Sequence, residues 1–469
     1  MKLSHWSVAL SLCSCLALIG CGQPQPTASS TGAAASDSSD AQADETSVAA
    51  VDDSTAPAAD GTEAPEATDE ATESEVEVVV IEPGPDAQKA AQEALIYAEE
   101  GDVIEFAAGE FNLTKTLSLD DKKHVTIRGQ GMDKTILNFA DQQKGTGGEG
   151  ILIKNADDFT IEDITLQDTP GDAIKVDGAH GLTMRRVKTW WSNGPHAENG
   201  AYGLYPVLSE NILIEDCVAE CASDAGIYVG QSKNIIVRRC RAEKNVAGIE
   251  IENCIGADVY ENVATNNTGG LLVFSLPGLK LKNGSQCRVY NNKLYDNNHD
   301  NFAAPGNMVA TVPPGTGLSV MANDQVEIFG NEIKNHKSTN CYIISFFTTQ
   351  RKFEDAGYDP YPEAISVYDN QFEKGGYDPQ KAWADVVAFF PDGKLPDIVY
   401  DGMVDEKKTV DGKLPEGKQI FIGDNGDFTF ANIDYPKLMS GQPPELDFKL
   451  EAYSTELPKL PPVTIPGVK

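Results

Sequence analysis

Basic residues are scarce, with 37 Lys and Arg against 72 Asp and Glu in 469 residues. Such a chain offers no basic groove to a polyanion, so nucleic acid is excluded as a partner. Long apolar runs are missing too: the candidate, Val8 to Ile19, is too short to cross a bilayer as a mature helix. No Cys-x-x-Cys-His occurs, so the chain attaches no c-type haem of its own. Helical periodicity is confined to Asp86–Glu100; elsewhere apolar residues alternate. From Gly22 to Glu82 there is no Lys or Arg, against fifteen Asp and Glu.

That last stretch, made of Ala, Ser, Thr, Asp, Glu and Pro, cannot bury enough apolar surface to fold, and its charges repel. It reads as a disordered tether. Ahead of it, Lys2 and His5 precede the apolar run, which reads as an export signal. The run ends in Leu18-Ile19-Gly20-Cys21, which resembles the bacterial lipobox and implies cleavage before Cys21 and lipidation of its thiol. Gly22 follows where an inner-membrane retention signal has Asp, so the expectation is an exported, lipid-anchored protein of the outer membrane, held to the membrane by that lipid alone. Removing the fifteen acids and Lys2 leaves 57 acidic against 36 basic residues. The folded part is itself acidic. The organisation expected is a signal over 1–20, Cys21 and tether over 21–77, the folded body over 78–374, and a C-terminal coil, cap and Pro-rich tail over 375–469.

The body is built on repetition. NILIEDCVAECASDAGIYVGQSK, from Asn211, is followed by NIIVRRCRAEKNVAGIEIENCIG, from Asn234, so that Ile214 meets Val237, Cys217 meets Cys240 and Gly226 meets Gly248. A repeat of this length without helical periodicity indicates a solenoid. The apolar column Ile127, Ile161, Met184, Ile214, Val237, Val259, Val289, Ile328, Val367 extends it, and Ile174, Leu204, Ile227, Ile249, Leu271, Leu318 move with it. Short alternating strands joined by Asn-, Asp- and Gly-rich turns predict an all-β, right-handed parallel β-helix. Asp86–Glu100 reads as a helix capped by Asp86 and stopped by Gly101, closing the open N-terminal edge.

Several columns read as structure rather than as sites. Glu162-Asp163, Arg185-Arg186, Glu215-Asp216 and Arg238-Arg239 alternate in sign from coil to coil. Tyr260, Tyr290, Phe329 and Tyr368 form an aromatic stack; Asn262, Asn292, Asn331 and Asn370 form an asparagine ladder. Cys217 and Cys240 share an inward column, where a bridge torsion would be strained, so the cysteines are expected to be buried thiols.

Function is sought where the repeat departs from itself. The same turn swells at Thr189–Tyr202 and again after Asn292, and two such loops four coils, or about 19 Å, apart would wall a trough. One wall holds Trp190, Trp191, His196, Glu198 and Tyr202, the other His299, Asp300, Asn301 and Phe302; the floor is Glu220, Asp224, Glu243, Lys244, Asn266 and Asn267. Aromatic faces beside carboxylates and amides suit a saccharide, with Trp190, Trp191, Glu198, Glu220, Glu243, Asn266, Asp300 and Asn301 as binding residues. For catalysis, His196 or His299 would be the base, Tyr202 the acid, Lys244 the anion stabiliser and Asp224 a floor carboxylate. The reaction class would be polysaccharide lyase, epimerase or glycoside hydrolase. Asp296–Asn301 offers oxygen ligands of the kind calcium takes, but without a spaced pattern, so no cofactor or metal is expected.

The phrases Gly101–Phe106, Gly109–Phe111 and Val125–Leu137 resemble the first coils of the pectate-lyase-like superfamily, which implies the fold and is silent on reaction. Gly194-Pro195-His196-Ala197-Glu198 resembles the DPHE phrase of alginate epimerases but lacks its Asp, and the polygalacturonase set is missing. Over residues 78 to about 370, ENGAYGLYPV, SDAGIYVGQS, NVAGIEIEN, NNTGGLLVFSLPGL and PPGTGLSVMAN resemble a bacterial family of exported parallel β-helix domain-containing proteins, often lipoproteins. That resemblance implies fold, export and, because such proteins accompany a secreted dihaem c-type cytochrome, a redox partner. Saccharide binder and non-catalytic cytochrome scaffold are therefore the two readings taken to the structure.

Overall fold

The computed structural model describes residues 76–468 apart from 144–147 and 412; the export signal, Cys21 and the tether up to residue 75 lie outside the described residues. Each full coil carries strands of two parallel sheets, one of 20 strands and one of 11, here called sheet 1 and sheet 2. In the central coil, Glu210–Glu215 and Val218–Glu220 belong to sheet 1 and Ala225–Gly230 to sheet 2. The chain then steps up and pairs residue for residue: Ile214 with Val237, Val237 with Val259, Val259 with Val289, Val289 with Ile328 and Ile328 with Val367. The second expected column is equally in register, from Ile174 through Leu204, Ile227, Ile249 and Leu271 to Leu318. Both columns form the buried interior.

In-register stacking forces each buried polar group to find its partner in the coil above. The Nδ2 of Asn262 donates to Oδ1 of Asn292 at 3.0 Å, and Asn292, Asn331 and Asn370 repeat the bond upward at 2.9 Å. The ladder reaches Asn425, one rung beyond the expected set. A second ladder lies in the corner between the sheets: Asn245 donates to Asn267, Asn267 to Asn297, and the Asn297 amide lies 3.1 Å from Nε2 of His336. Asn267 is thereby a buried rung and not part of a trough floor. The six described cysteines are free and buried; Cys217 and Cys240 each turn their Sγ to a nearby carbonyl, Glu215 and Arg238 respectively, at 3.3 Å.

The charge column is also bonded vertically. Glu215 accepts from Arg185 at 2.6 Å and from Arg238 and Arg239 at 2.7 and 2.6 Å. Burial alone would raise its carboxyl, yet the three guanidiniums hold it down at about 2. The aromatic stack is real, with Tyr260–Tyr290 and Tyr290–Phe329 ring centroids 4.7 and 4.9 Å apart and nearly parallel.

The capping helix runs Ala87–Tyr97, shorter than expected. Asp86 makes no side-chain cap, and the backbone leaves helical geometry at Ala98 before Gly101 is reached. Ala91 and Leu95 are buried against the first coil. Gln92 completes the closure: its Oε1 and Nε2 bond the N–H and C=O of Ser118 at 2.9 Å, standing in for a strand against the edge of sheet 2. At the other end the helix runs on past residue 374. Ile398–Tyr400, Ile420–Ile422 and Phe430–Asn432 pair onto it. The final residues then double back over sheet 1. Lys459 Nζ sits 3.3 Å from the Tyr368 ring centre, Leu460 N–H donates to Glu327, Val463 N–H donates to Asp258, and Ile465 is buried against Leu213 and Ile236.

A glycine column makes room for the corner ladder. A Cβ on Gly248 would stand 2.5 Å from the Gly270 carbonyl oxygen and 2.9 Å from Nδ2 of Asn267. Gly248→Ala should therefore lower unfolding free energy by about 2 kcal/mol in urea titrations, since neither the next coil nor the ladder can yield independently.

Candidate functional site

The corner turn divides the expected trough. Trp190, Glu220 and Glu243 are register partners on the outer face of sheet 1. There Lys188 covers the Trp190 ring at 5.3 Å and pairs with Glu220 at 3.2 Å, while Glu243 takes Arg241 at 2.7 Å and Lys244 at 3.5 Å. Lys244 and Asn266 sit at the corner itself in left-handed geometry, φ +60° and +56°, and are exposed. Tyr202 and Asp224 lie on the other side of the corner, on the outer face of sheet 2.

Two expected ligand contacts serve the fold instead. Trp191 is only 4 % exposed, and its indole N–H donates to the Thr169 carbonyl at 2.7 Å, because alternation turns inward one of two consecutive tryptophans. Asn301 spends its amide within its own loop, on the Val309 and Val312 carbonyls at 3.0 and 2.9 Å. His196 and Glu198 are exposed in the first loop, His196 Nδ1 accepting from the Glu198 N–H at 3.2 Å. His299 packs edge-on to Phe302 and bonds the Asp300 carbonyl; Asp300 itself is exposed. Trp190, Trp191, Tyr202 and His299 thus do not converge on one surface. In the Asp296–Asn301 loop, Asp296 accepts from Asn335. The three-carboxylate group among the described residues is elsewhere, at Asp324, Asp359 and Glu363, where Lys408 and Lys418 pair with it.

The outer face of sheet 2 carries the unusual chemistry. Over its later coils, Leu272, Phe274, Met321, Tyr342 and Ile344 form a second apolar core beneath Val309, Phe346, Tyr358, Trp383 and Phe390. These covering residues come from loops and from the segment after residue 375. In the earlier coils the same columns turn polar. Tyr202, Tyr205 and Tyr228 form a mutual cluster with ring centroids 4.5 to 4.9 Å apart. Tyr228 faces Glu250 in register, and Glu250 faces Leu272, so the acid stands where apolar cover meets tyrosine.

Carboxyls ring this cluster. Tyr202 OH donates to Asp224 at 3.4 Å, Tyr228 OH donates to Glu252, and Asp172 accepts the Tyr202 N–H at 3.3 Å. Glu250 is 3 % exposed, and among the described residues no donor reaches its carboxyl. Lys175 is set over the Tyr205 ring at 4.9 Å, and its charge draws Asp172 down against burial. Burial raises all four acids: Asp172 to about 6, Asp224 to about 7 despite the Tyr202 bond, and Glu252 to about 7. Glu250 is pushed well above the usual range by burial and then by the Asp224 and Glu252 charges. Burial and the surrounding carboxylates likewise raise the Tyr202 and Tyr228 phenols, which stay protonated donors. The arrangement can bind hydroxyls, receive a positive charge and exchange protons near neutrality. Tyr202 and Asp224 were legible in the sequence; Tyr205, Tyr228, Glu250, Glu252 and Asp172 were not.

The sequence matches the family model described as the right handed beta helix region at residues 149–277 and 198–353. No curated protein matches the chain. Among solved structures it is similar to the A-module of mannuronan C-5 epimerase AlgE4 of Azotobacter vinelandii, at 17 % identity over 74 % of this chain and 91 % of that one, TM-score 0.47. It is also similar to an alginate lyase of Paenibacillus sp. strain FPU-7, at 16 % identity over 65 % of this chain and 98 % of that one, TM-score 0.41. A third is the catalytic unit of a GH87 α-1,3-glucanase of Streptomyces thermodiastaticus, at 15 % identity over 69 % of this chain and 50 % of that one, TM-score 0.44.

These acids ionise at higher pH in the fold than the ~4 of an unfolded chain. The stability they lend is fully present below about pH 4 and is lost as pH rises through 6 and 7. Thermal melts should show Tm falling between about pH 5 and pH 8, and Glu250→Gln should shrink that fall; equal falls in variant and wild type would refute the assignment.

Proposed function

From the premise that this chain is a right-handed parallel β-helix, we propose that it binds a saccharide on the outer face of sheet 2. The observation that carries this is the cluster of Tyr202, Tyr205 and Tyr228 with Asp224, Glu250 and Glu252. Sugar rings offer C–H faces that stack on phenols and hydroxyls that donate to carboxyl oxygens. Tyr202 and Tyr205 are half-buried and form the rim that a ligand would touch first; the acids lie behind them. Asp224 and Glu252, both poised near neutrality, are the pair suited to give and take protons on a bound ring. His196, His299 and Lys244 make their bonds to other groups and are not assigned steps.

The test is a glycan array probed with the full chain, with Tyr205→Ala and Trp190→Ala alongside. A saccharide bound by wild type should be held at least about tenfold more weakly by Tyr205→Ala, equivalent to ~1.4 kcal/mol, and unchanged by Trp190→Ala on the opposite side of the corner. Loss in Trp190→Ala alone would place binding on sheet 1 and overturn the assignment. For localisation, we infer export with lipid attachment at Cys21: labelled fatty acid should enter the wild-type chain in cells and fail to enter Cys21→Ser.

A further inference from the structure

The acid cluster is short of positive charge in a way the rest of the helix is not. On sheet 1 every stacked carboxylate of the charge column meets a guanidinium, as Glu215 meets Arg185, Arg238 and Arg239. Asp258 likewise holds Arg288 at 2.8 Å, and the buried Glu363 is bonded by Lys408 and Lys418. Sheet 2 departs from that pattern: Asp401 is buried on two backbone N–H groups, of Ser345 and Met403, and a cluster of four acids lies in the earlier coils. Asp172, Asp224, Glu250 and Glu252 gather around three phenols with no Arg, His or Lys bonded to any of them among the described residues. Lys175 is directed at the ring of Tyr205, and of the four acids its charge acts on Asp172. Glu250 completes the case: buried, without a donor, and set beside Tyr228 at the edge of the apolar cover.

A buried carboxyl without a donor is destabilising unless something supplies the missing bond. Aromatic rings beside it add a face that attracts cations. We propose that the ligand supplies a protonated amine to this cluster, so that the saccharide is one built of amino sugars, with Glu250 as the ion partner and the three tyrosine rings as the wall of the amine pocket. The proposal rests on the saccharide reading above and narrows it. A uronate chain would bring carboxylates against four others; an amino sugar brings the charge that the site lacks. Glu250, Asp224 and Glu252 would then give up protons when the amine arrives, because the cation favours their ionised forms. Binding should be accompanied by proton release and should tighten as pH rises from about 5 towards 7, until the amine itself begins to lose its proton.

The experiment is calorimetry on the full chain with three probes of equal length: glucosamine oligomers, their N-acetylated counterparts and oligouronates. The glucosamine oligomer should bind, with net proton release read from buffers of different ionisation enthalpy. Its affinity should fall at least about tenfold in Glu250→Gln and in Asp224→Asn, with Tm checked for both. Glu243→Gln on sheet 1 should leave it unchanged, which separates the cluster from general attraction to an acidic protein. Equal binding of the N-acetylated oligomer, preference for the uronate, or indifference to both cluster variants would overturn the amine proposal while leaving a saccharide site standing. If none of the three binds, the amine proposal falls, and the saccharide reading falls with it unless the array shows another glycan.

Discussion

Parallel stacking at about 4.8 Å in strict register is the constraint on which everything else depends. A residue type that appears once on an ordinary sheet appears here as a column, and a column of like polar groups is tolerable only if each member bonds the next. Asparagine satisfies this with itself, since one side chain both donates and accepts; hence the ladders through Asn292 and through Asn267. Carboxylates and guanidiniums satisfy it only by alternating, as Glu162, Arg185, Glu215 and Arg238 do. Glycine enters where the ladder leaves no room for a Cβ, at Gly226 and Gly248. The interior is thus specified twice, by apolar columns and by polar columns that cannot slip by one residue without losing every bond.

Against that rule the acids of sheet 2 stand out as unmet. Glu250 rises between Tyr228 below and Leu272 above, Glu252 between Gly230 and Phe274, and neither has a cation in the next coil. Nothing in the register forbids an arginine there, since the same fold places them freely on sheet 1. Burial instead keeps these carboxyls protonated to higher pH, at the expense of some stability near neutrality.

What was legible followed the period. The apolar columns, the aromatic stack, the charge column and the first asparagine ladder are all visible as residues recurring at coil spacing, because position in the repeat decides position in space. The C-terminal coils were harder: Asn370 and its partner Asn425 are 55 residues apart, so the repeat is drowned by the insertion that covers sheet 2. The site was half legible. Tyr202 and Asp224 flank a swollen turn and drew notice for that reason. Glu250 and Glu252 did not, because Gly-Ile-Glu-Ile-Glu reads as an ordinary wet strand face. Its cover comes from loops and from a segment more than a hundred residues later, and only the apolar Leu272 and Phe274 in the next coil hint that the face is dry. Trp191 was misplaced for the converse reason, a large aromatic in a loop-like stretch that strand alternation carries inward.

The tail that doubles back over sheet 1 changes how such a molecule comes apart. A plain solenoid is close to one-dimensional: an end coil contacts only its neighbour and can peel away alone. Here the last residues lie against Leu213 and Ile236, while Lys459 and Leu460 rest on the coils of Tyr368 and Glu327. Peeling from the C-terminal end therefore means lifting the tail from the middle of the stack as well. Separate coils are tied into one cooperative unit. Without the segment around Ile465, Leu213 and Ile236 would be bare to water, so the middle of the stack draws part of its stability from residues more than two hundred positions away.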